Sequence, residues 1–136
     1  MPSTPPDVNQ RLTDLRNGLL RHHKILLDSE RDCYEHEIGK IKNANQFLAL
    51  VIHDPWFAWL HELSELIVLI DETQDSKEIP FTAADVDRLL AQAKALLVPV
   101  QDGEGFAQRY DQAMQRDPGV IIAHGQLVKL MAKLNS

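Results

Sequence analysis

The stretch His53–Glu72 reads HDPWFAWLHELSELIVLIDE, and it decides the fold. Pro55 disfavours helical geometry at Asp54, and a non-helical Asp is what an N-cap requires. Pro55 itself fills a first-turn position whose N–H would have no partner anyway. Trp56, Leu60, Leu63, Ile67 and Ile70 then recur at three- or four-residue spacing. The segment is therefore expected to be a buried central helix with its Trp56 side inward. His61, Glu65 and Glu72 fall roughly opposite that stripe. Phe57, Val68 and Leu69 lie outside it, and a helix that is apolar on more than one side is buried on more than one side.

Capping chemistry marks the other helices. Asp7-Val8-Asn9-Gln10 loosely fits a capping box and opens a long helix carrying Val8, Leu12, Leu15, Leu19 and Leu26. That helix is expected to run to Ile38, with Gly39 as a left-handed cap, and to form one edge of a bundle. Asn43-Ala44-Asn45-Gln46 repeats the pattern ahead of a short apolar helix, Phe47 to Ile52, which meets the next at a sharp corner on His53-Asp54. Thr82-Ala83-Ala84-Asp85 caps a further helix, with Phe81 placed to staple on Val86 and a stripe of Val86, Leu89, Leu90, Ala93, Leu96 and Leu97. Phe106, Tyr110, Ala113 and Met114 mark a shorter helix. Asp117-Pro118 is a second Asp-Pro start, opening a helix to about Leu134. The expectation is an all-α, single-domain helical bundle of five to six helices with a long first helix. Residues 1–6 are expected to be a disordered tail ahead of a 7–136 bundle.

Composition narrows the function classes. The chain has 136 residues, 44% hydrophobic and 25% charged, which is ordinary globular usage and enough to bury a core without staples. No apolar run approaches the ~20 residues that cross a bilayer, and no secretory signal is visible, so a cytoplasmic location is expected. Lys plus Arg number 14 against 20 Asp plus Glu, for a net charge of −6. An acidic chain without a basic stripe is a poor binder of phosphate backbones, so no nucleic-acid partner is expected. The single Cys33 cannot form an internal disulfide and has no cationic neighbourhood to activate it.

The histidines are the candidates for chemistry. His61-x-x-x-Glu65 resembles the second-helix ligand pair of hemerythrins, but it lies on the outward side of its helix, and the following helix lacks the matching His pair. A solvated His–Glu pair is the expectation there. On the first helix the stripe turns polar: His23, Leu26, Glu30, Cys33, Tyr34 and Glu37 continue it, with His22 near its margin. A buried Glu needs a partner, so this half either emerges into water or lines a polar pocket, or a tyrosine hydroxyl bonds the carboxylate. His124 shares its face with Val120, Leu127, Met131 and Leu134 and is expected to be an interior histidine bonded to a neighbour. A metal or haem site would draw on His23, Glu30 and His124, with His22 as a substitute, because bundles build such sites from inward residues on facing helices. The Glu-x-x-His repeats of di-iron bundles are missing. No cofactor is otherwise indicated.

The block His53-Asp54-Pro55-Trp56-Phe57-Ala58-Trp59-Leu60, followed by Ser64-Glu65-Leu66-Ile67-Val68 and Ile70-Asp71-Glu72, resembles a family of uncharacterised bacterial all-helical proteins of similar length. Leu27-Asp28-Ser29-Glu30-Arg31 and Asp117-Pro118 with Ala123-His124 are similar to the same group. The resemblance implies a bacterial, soluble, helical protein and brings no activity or catalytic residue with it. No glycine-rich phosphate loop or nucleophile–base pair occurs, so catalysis is not expected. The leading expectation is a non-enzymatic helical module acting through self-association or contact with another protein; the alternative is a metal- or haem-binding bundle using inward-facing histidines.

Overall fold

The computed structural model describes residues 6–134. Within them the chain forms six α-helices: α1 (Pro6–Glu37), α2 (Ala44–His53), α3 (His61–Asp75), α4 (Ala83–Leu96), α5 (Gly105–Arg116) and α6 (Pro118–Leu134). A 3-10 segment, Pro55–Leu60, lies between α2 and α3, and no strand occurs among the described residues. This is an all-α bundle around a single core, built from Leu12, Leu15, Leu19 and Leu26 of α1, Leu63 and Ile70 of α3, Leu90 of α4 and Tyr110 of α5. None of the helices is long and apolar enough to cross a membrane. The tail expected over residues 1–6 falls outside the described residues except for Pro6, which already belongs to α1.

Polar pairs between helices fix their directions. Gln74 bonds Thr13, and Arg16 pairs with Asp71, so α3 runs antiparallel to α1. Arg11 Nε donates to the Leu134 carbonyl at 3.0 Å, while Gly18 meets Leu130 and Leu127, so α6 is antiparallel to α1 as well. At that crossing a Cβ on Gly18 would stand 2.4 Å from Leu130 Cδ2. The tip of the Leu130 side chain fills the space that a side chain at position 18 would need. The long helix is thus the central strut and not an edge: α6 and α3 flank it, and α4, α5 and the 3-10 segment also pack on it.

The caps form where the side chains for them exist. Asn43 Oδ1 accepts from Gln46 N at 2.8 Å and opens α2. Thr82 and Asp85 make a reciprocal capping box on α4, with Phe81 and Val86 both buried at the staple positions. Asp117 Oδ1 accepts from Gly119 N at 2.9 Å at the start of α6. Two termini differ from expectation. Helix α1 opens at Pro6, the favoured first-turn residue, so Asp7 sits inside the first turn. At the other end Gly39 has φ 159°, an extended conformation in place of a left-handed cap.

The segment after Asp54 also departs from a continuous helix. Asp54 Oδ1 accepts from Trp56 N at 2.8 Å as expected of a cap, but the chain then winds with a 3-10 pitch through Leu60. At that pitch residues three apart superpose, so Phe57 and Leu60 point inward together, and both are buried. Trp56 is left half-buried. Phe57 anchors the corner: Tyr34 and Phe47 pack on its ring with centroids at 5.7 and 5.8 Å. Beyond the corner, Leu63, Ile67 and Ile70 lie inside as the stripe requires, while Val68 and Leu69 are exposed. Truncation of Phe57 to Ala is expected to cost about 3–5 kcal/mol in urea unfolding, whereas Ala58→Ser, on the exposed face of the same segment, should shift stability by no more than about 0.5 kcal/mol.

Candidate functional site

The polar interior of the bundle has two parts, both on α1 and both completed by α5. The first is a chain of three side chains. His22 Nε2 lies 2.7 Å from Tyr110 Oη, and Tyr110 Oη lies 2.6 Å from His124 Nδ1. His22 is only 2% exposed, Tyr110 is fully enclosed, and His124 is half-buried at the edge of α6. The rings also meet edge-on, His22 with Tyr110 at 5.6 Å and Tyr110 with His124 at 5.4 Å.

The protons in this chain can be assigned from the bonding. Tyr110 has one hydroxyl proton, so it donates to one histidine and accepts from the other. His22 Nδ1 is buried and meets no hydrogen-bond partner among the described residues. A buried N–H without an acceptor is the rarer and costlier state; a bare lone pair there is tolerated better. The proton of His22 therefore sits on Nε2 and is donated to Tyr110 Oη. Tyr110 in turn donates to His124 Nδ1, which leaves the proton of His124 on Nε2. Burial, then the charges of His124 and His23, lower the pKa of His22 to about 4. Burial raises the Tyr110 phenol well above its usual range and lowers His124. All three groups are neutral at pH 7, which this bonding scheme requires.

The ends of the chain open on different sides. His22 lines a cleft of ≈280 Å³ between α1 and α6, together with Asn17, Gly18 and Gln126. His124 lines a separate groove of ≈370 Å³ between the end of α4 and α6.

The second polar part is centred on Glu30, 3% exposed. Trp56 Nε1 donates to its Oε2 at 2.9 Å, and Arg116 donates to its Oε1 at 3.1 Å. Arg116 also reaches Ser29 Oγ at 3.4 Å. One carboxylate thus ties α1 to the 3-10 segment and to α5. Of the alternatives for the polar half of α1, a satisfied interior carboxylate is what the structure contains, and its partners are an indole and a guanidinium in place of the Tyr34 hydroxyl.

The sequence candidates separate accordingly. Glu30 is engaged by Trp56 and Arg116, and His124 by Tyr110. His23 is half-buried, with its pKa lowered by burial and by the charge of His61. Among the described residues no group of three or more His, Cys, Asp and Glu side chains is arranged to hold a metal ion, so His23, Glu30 and His124 are not gathered into one site. His22, placed near the margin of the stripe, is in fact on it: Leu12, Leu15, Leu19, His22 and Leu26 alternate steps of three and four, and that alternation passes through 22 and not 23. His61 binds the Val51 carbonyl at 3.0 Å, pinning α2 to α3, in place of pairing with the exposed Glu65. Tyr110 and Arg116 were not anticipated as polar partners. An apolar-stripe tyrosine does carry a signal, because its hydroxyl must find a partner when buried.

No protein-family model, curated protein or solved structure matches this chain.

Two outcomes follow for stability. Because the folded pKa of His22 is depressed, the unfolded chain takes up a proton below about 6.5 that the folded protein refuses. Stability is fully present above that pH and falls as pH drops towards about 4, by up to about 3 kcal/mol from this group. Urea unfolding across that range should show the decline in the native protein and a clearly shallower one in His22→Phe; equal slopes would contradict the assignment. Glu30→Ala, which strands Trp56 Nε1 and the Arg116 guanidinium, is expected to cost about 2–4 kcal/mol at pH 7.

Proposed function

We propose that this chain is a non-enzymatic helical module that works by self-association, with α2 as the contact between two copies. One observation carries the reading. Helix α2 (ANQFLALVIH) is strongly apolar, contains no Asp, Glu, Lys or Arg, and has no buried residue. Leu48 is 58% exposed and Ile52 51%, and with Asn45 and Ala49 they share one face at helical spacing. The opposite side is anchored, with Phe47 against Phe57 and the Arg31 guanidinium 4.8 Å over the Phe47 ring. The outward face is therefore presented on a fixed base.

A second copy is the occupant favoured by charge. The chain carries −6, so like molecules repel over most of their surface, and α2 is a segment on which they can meet without bringing charges together. Two-fold pairing sets one apolar face on its own image, the commonest form of assembly. Ten residues span only about 15 Å, and one face of so short a helix covers less than the roughly 800 Å² per partner of a standard interface. The association is accordingly of the weak, reversible class.

Light scattering coupled to size-exclusion chromatography tests this directly. The dimer fraction should rise with concentration through the high micromolar range. It should be lost in the double variant Leu48→Glu, Ile52→Glu, whose unfolding midpoint stays unchanged because both side chains are exposed. A strict monomer at every concentration, or a dimer indifferent to those two substitutions, would overturn the proposal.

A further inference from the structure

The groove beside His124 lies apart from α2 and has a different character. Its walls are Leu97, Val98, Pro99, Val128, Met131 and Ala132, and its polar members are Lys94 and His124. It forms because α4 ends at Leu96 and the chain continues without helical structure through Val98-Pro99, so α4 stops short and leaves α6 partly uncovered. Helix α6 has no acidic residue in its 17 positions, although the chain as a whole is acidic. No ion pair of Lys94 occurs among the described residues.

The bonding of the buried chain settles what His124 offers this groove. Its Nδ1 is committed to the Tyr110 hydroxyl, so in the proton arrangement above the nitrogen left free on this groove-lining residue is Nε2–H, a donor. Hydrogen-bonded through Tyr110 to His22, that imidazole cannot turn over without breaking the chain. The groove thus combines aliphatic walls with one ammonium and one fixed N–H donor.

We propose that this groove binds a medium-chain aliphatic carboxylate, with its alkyl chain along Val98, Val128 and Met131 and its carboxylate held by Lys94 Nζ and His124 Nε2–H. Two donors match the two oxygens of a carboxylate, and a single positive charge balances its single negative one. The absence of aromatic walls suits a flexible alkyl chain better than a flat ring. From His124 to Ala132, α6 advances about 12 Å, the reach of an extended medium-chain group. This site stands independently of the contact proposed for α2.

Titration of the full-length protein with decanoate below its micelle concentration, followed by amide chemical shifts, tests the assignment. Shifts should concentrate at Val98, His124, Val128 and Ala132. Affinity should fall about tenfold for every two methylenes removed in octanoate and hexanoate. Decanol should bind about tenfold more weakly than decanoate, and Lys94→Gln should erase that difference while leaving decanol binding as it was. Ala132→Trp, at an exposed position, should block both ligands without changing the helical circular-dichroism spectrum. Equal affinity for decanol and decanoate, shifts centred on Leu48 and Ile52 in place of the groove, or no saturable binding would each overturn the proposal. So would an acidic amphipathic peptide that occupies the groove while decanoate fails to compete with it.

Discussion

Tyr110 has a single hydroxyl proton and two imidazole nitrogens within bonding distance, and that shortage orders the interior of this protein. With His22 Nδ1 buried and without a partner among the described residues, one arrangement of protons keeps an N–H off that nitrogen, and it runs in one direction, from His22 through Tyr110 to His124. The chain links α1, α5 and α6. Each member restricts the rotation of the next, so the imidazole at the surface is aimed by one that is almost wholly buried. Neutrality is a condition of the arrangement. A proton on His22 would have to be held in the core without a counter-charge, and burial sets that cost high.

Glu30 supplies the complementary constraint two turns further along α1. Its carboxylate receives Trp56 and Arg116, while the histidine chain receives Tyr110. Both polar links to α5 therefore rise along α1 in step, which sets α5 parallel to α1 and fixes its height in the bundle. Leucine packing alone specifies that α1 has an inner face; it tolerates sliding by a turn. Two directional polar contacts separated along the helix do not. In that sense the buried polar groups select one register among several that the apolar stripes would accept.

The elements themselves were legible because they rest on local chemistry. Asn43, Asp54, Thr82 and Asp117 announce helix starts through side chains that satisfy N–H groups two or three residues on, and each does so in the structure. The leucine spacing on α1 and the stripe of α3 likewise report burial from sequence alone. What escaped was everything set at long range. Glu30 finds its partners at positions 56 and 116, and nothing near it in sequence says whether it meets water, an ion or an indole. The 3-10 winding after Asp54 escaped for a related reason: Phe57 and Leu60 are compatible with either pitch, and the rings packed on Phe57 come from Tyr34 and Phe47 on other helices. His22 and His23 are adjacent, and a difference of one residue in the stripe exchanges the interior histidine for the outer one.

The proton arrangement is the premise beneath the aimed His124 and the pH-sensitive core alike. A long-range nitrogen–proton correlation spectrum of the imidazole rings at pH 7 reports it most directly. His22 and His124 should both appear as neutral rings protonated at Nε2, with Nδ1 bare in each. A His22 ring protonated at Nδ1, or either ring present as imidazolium at that pH, would contradict it.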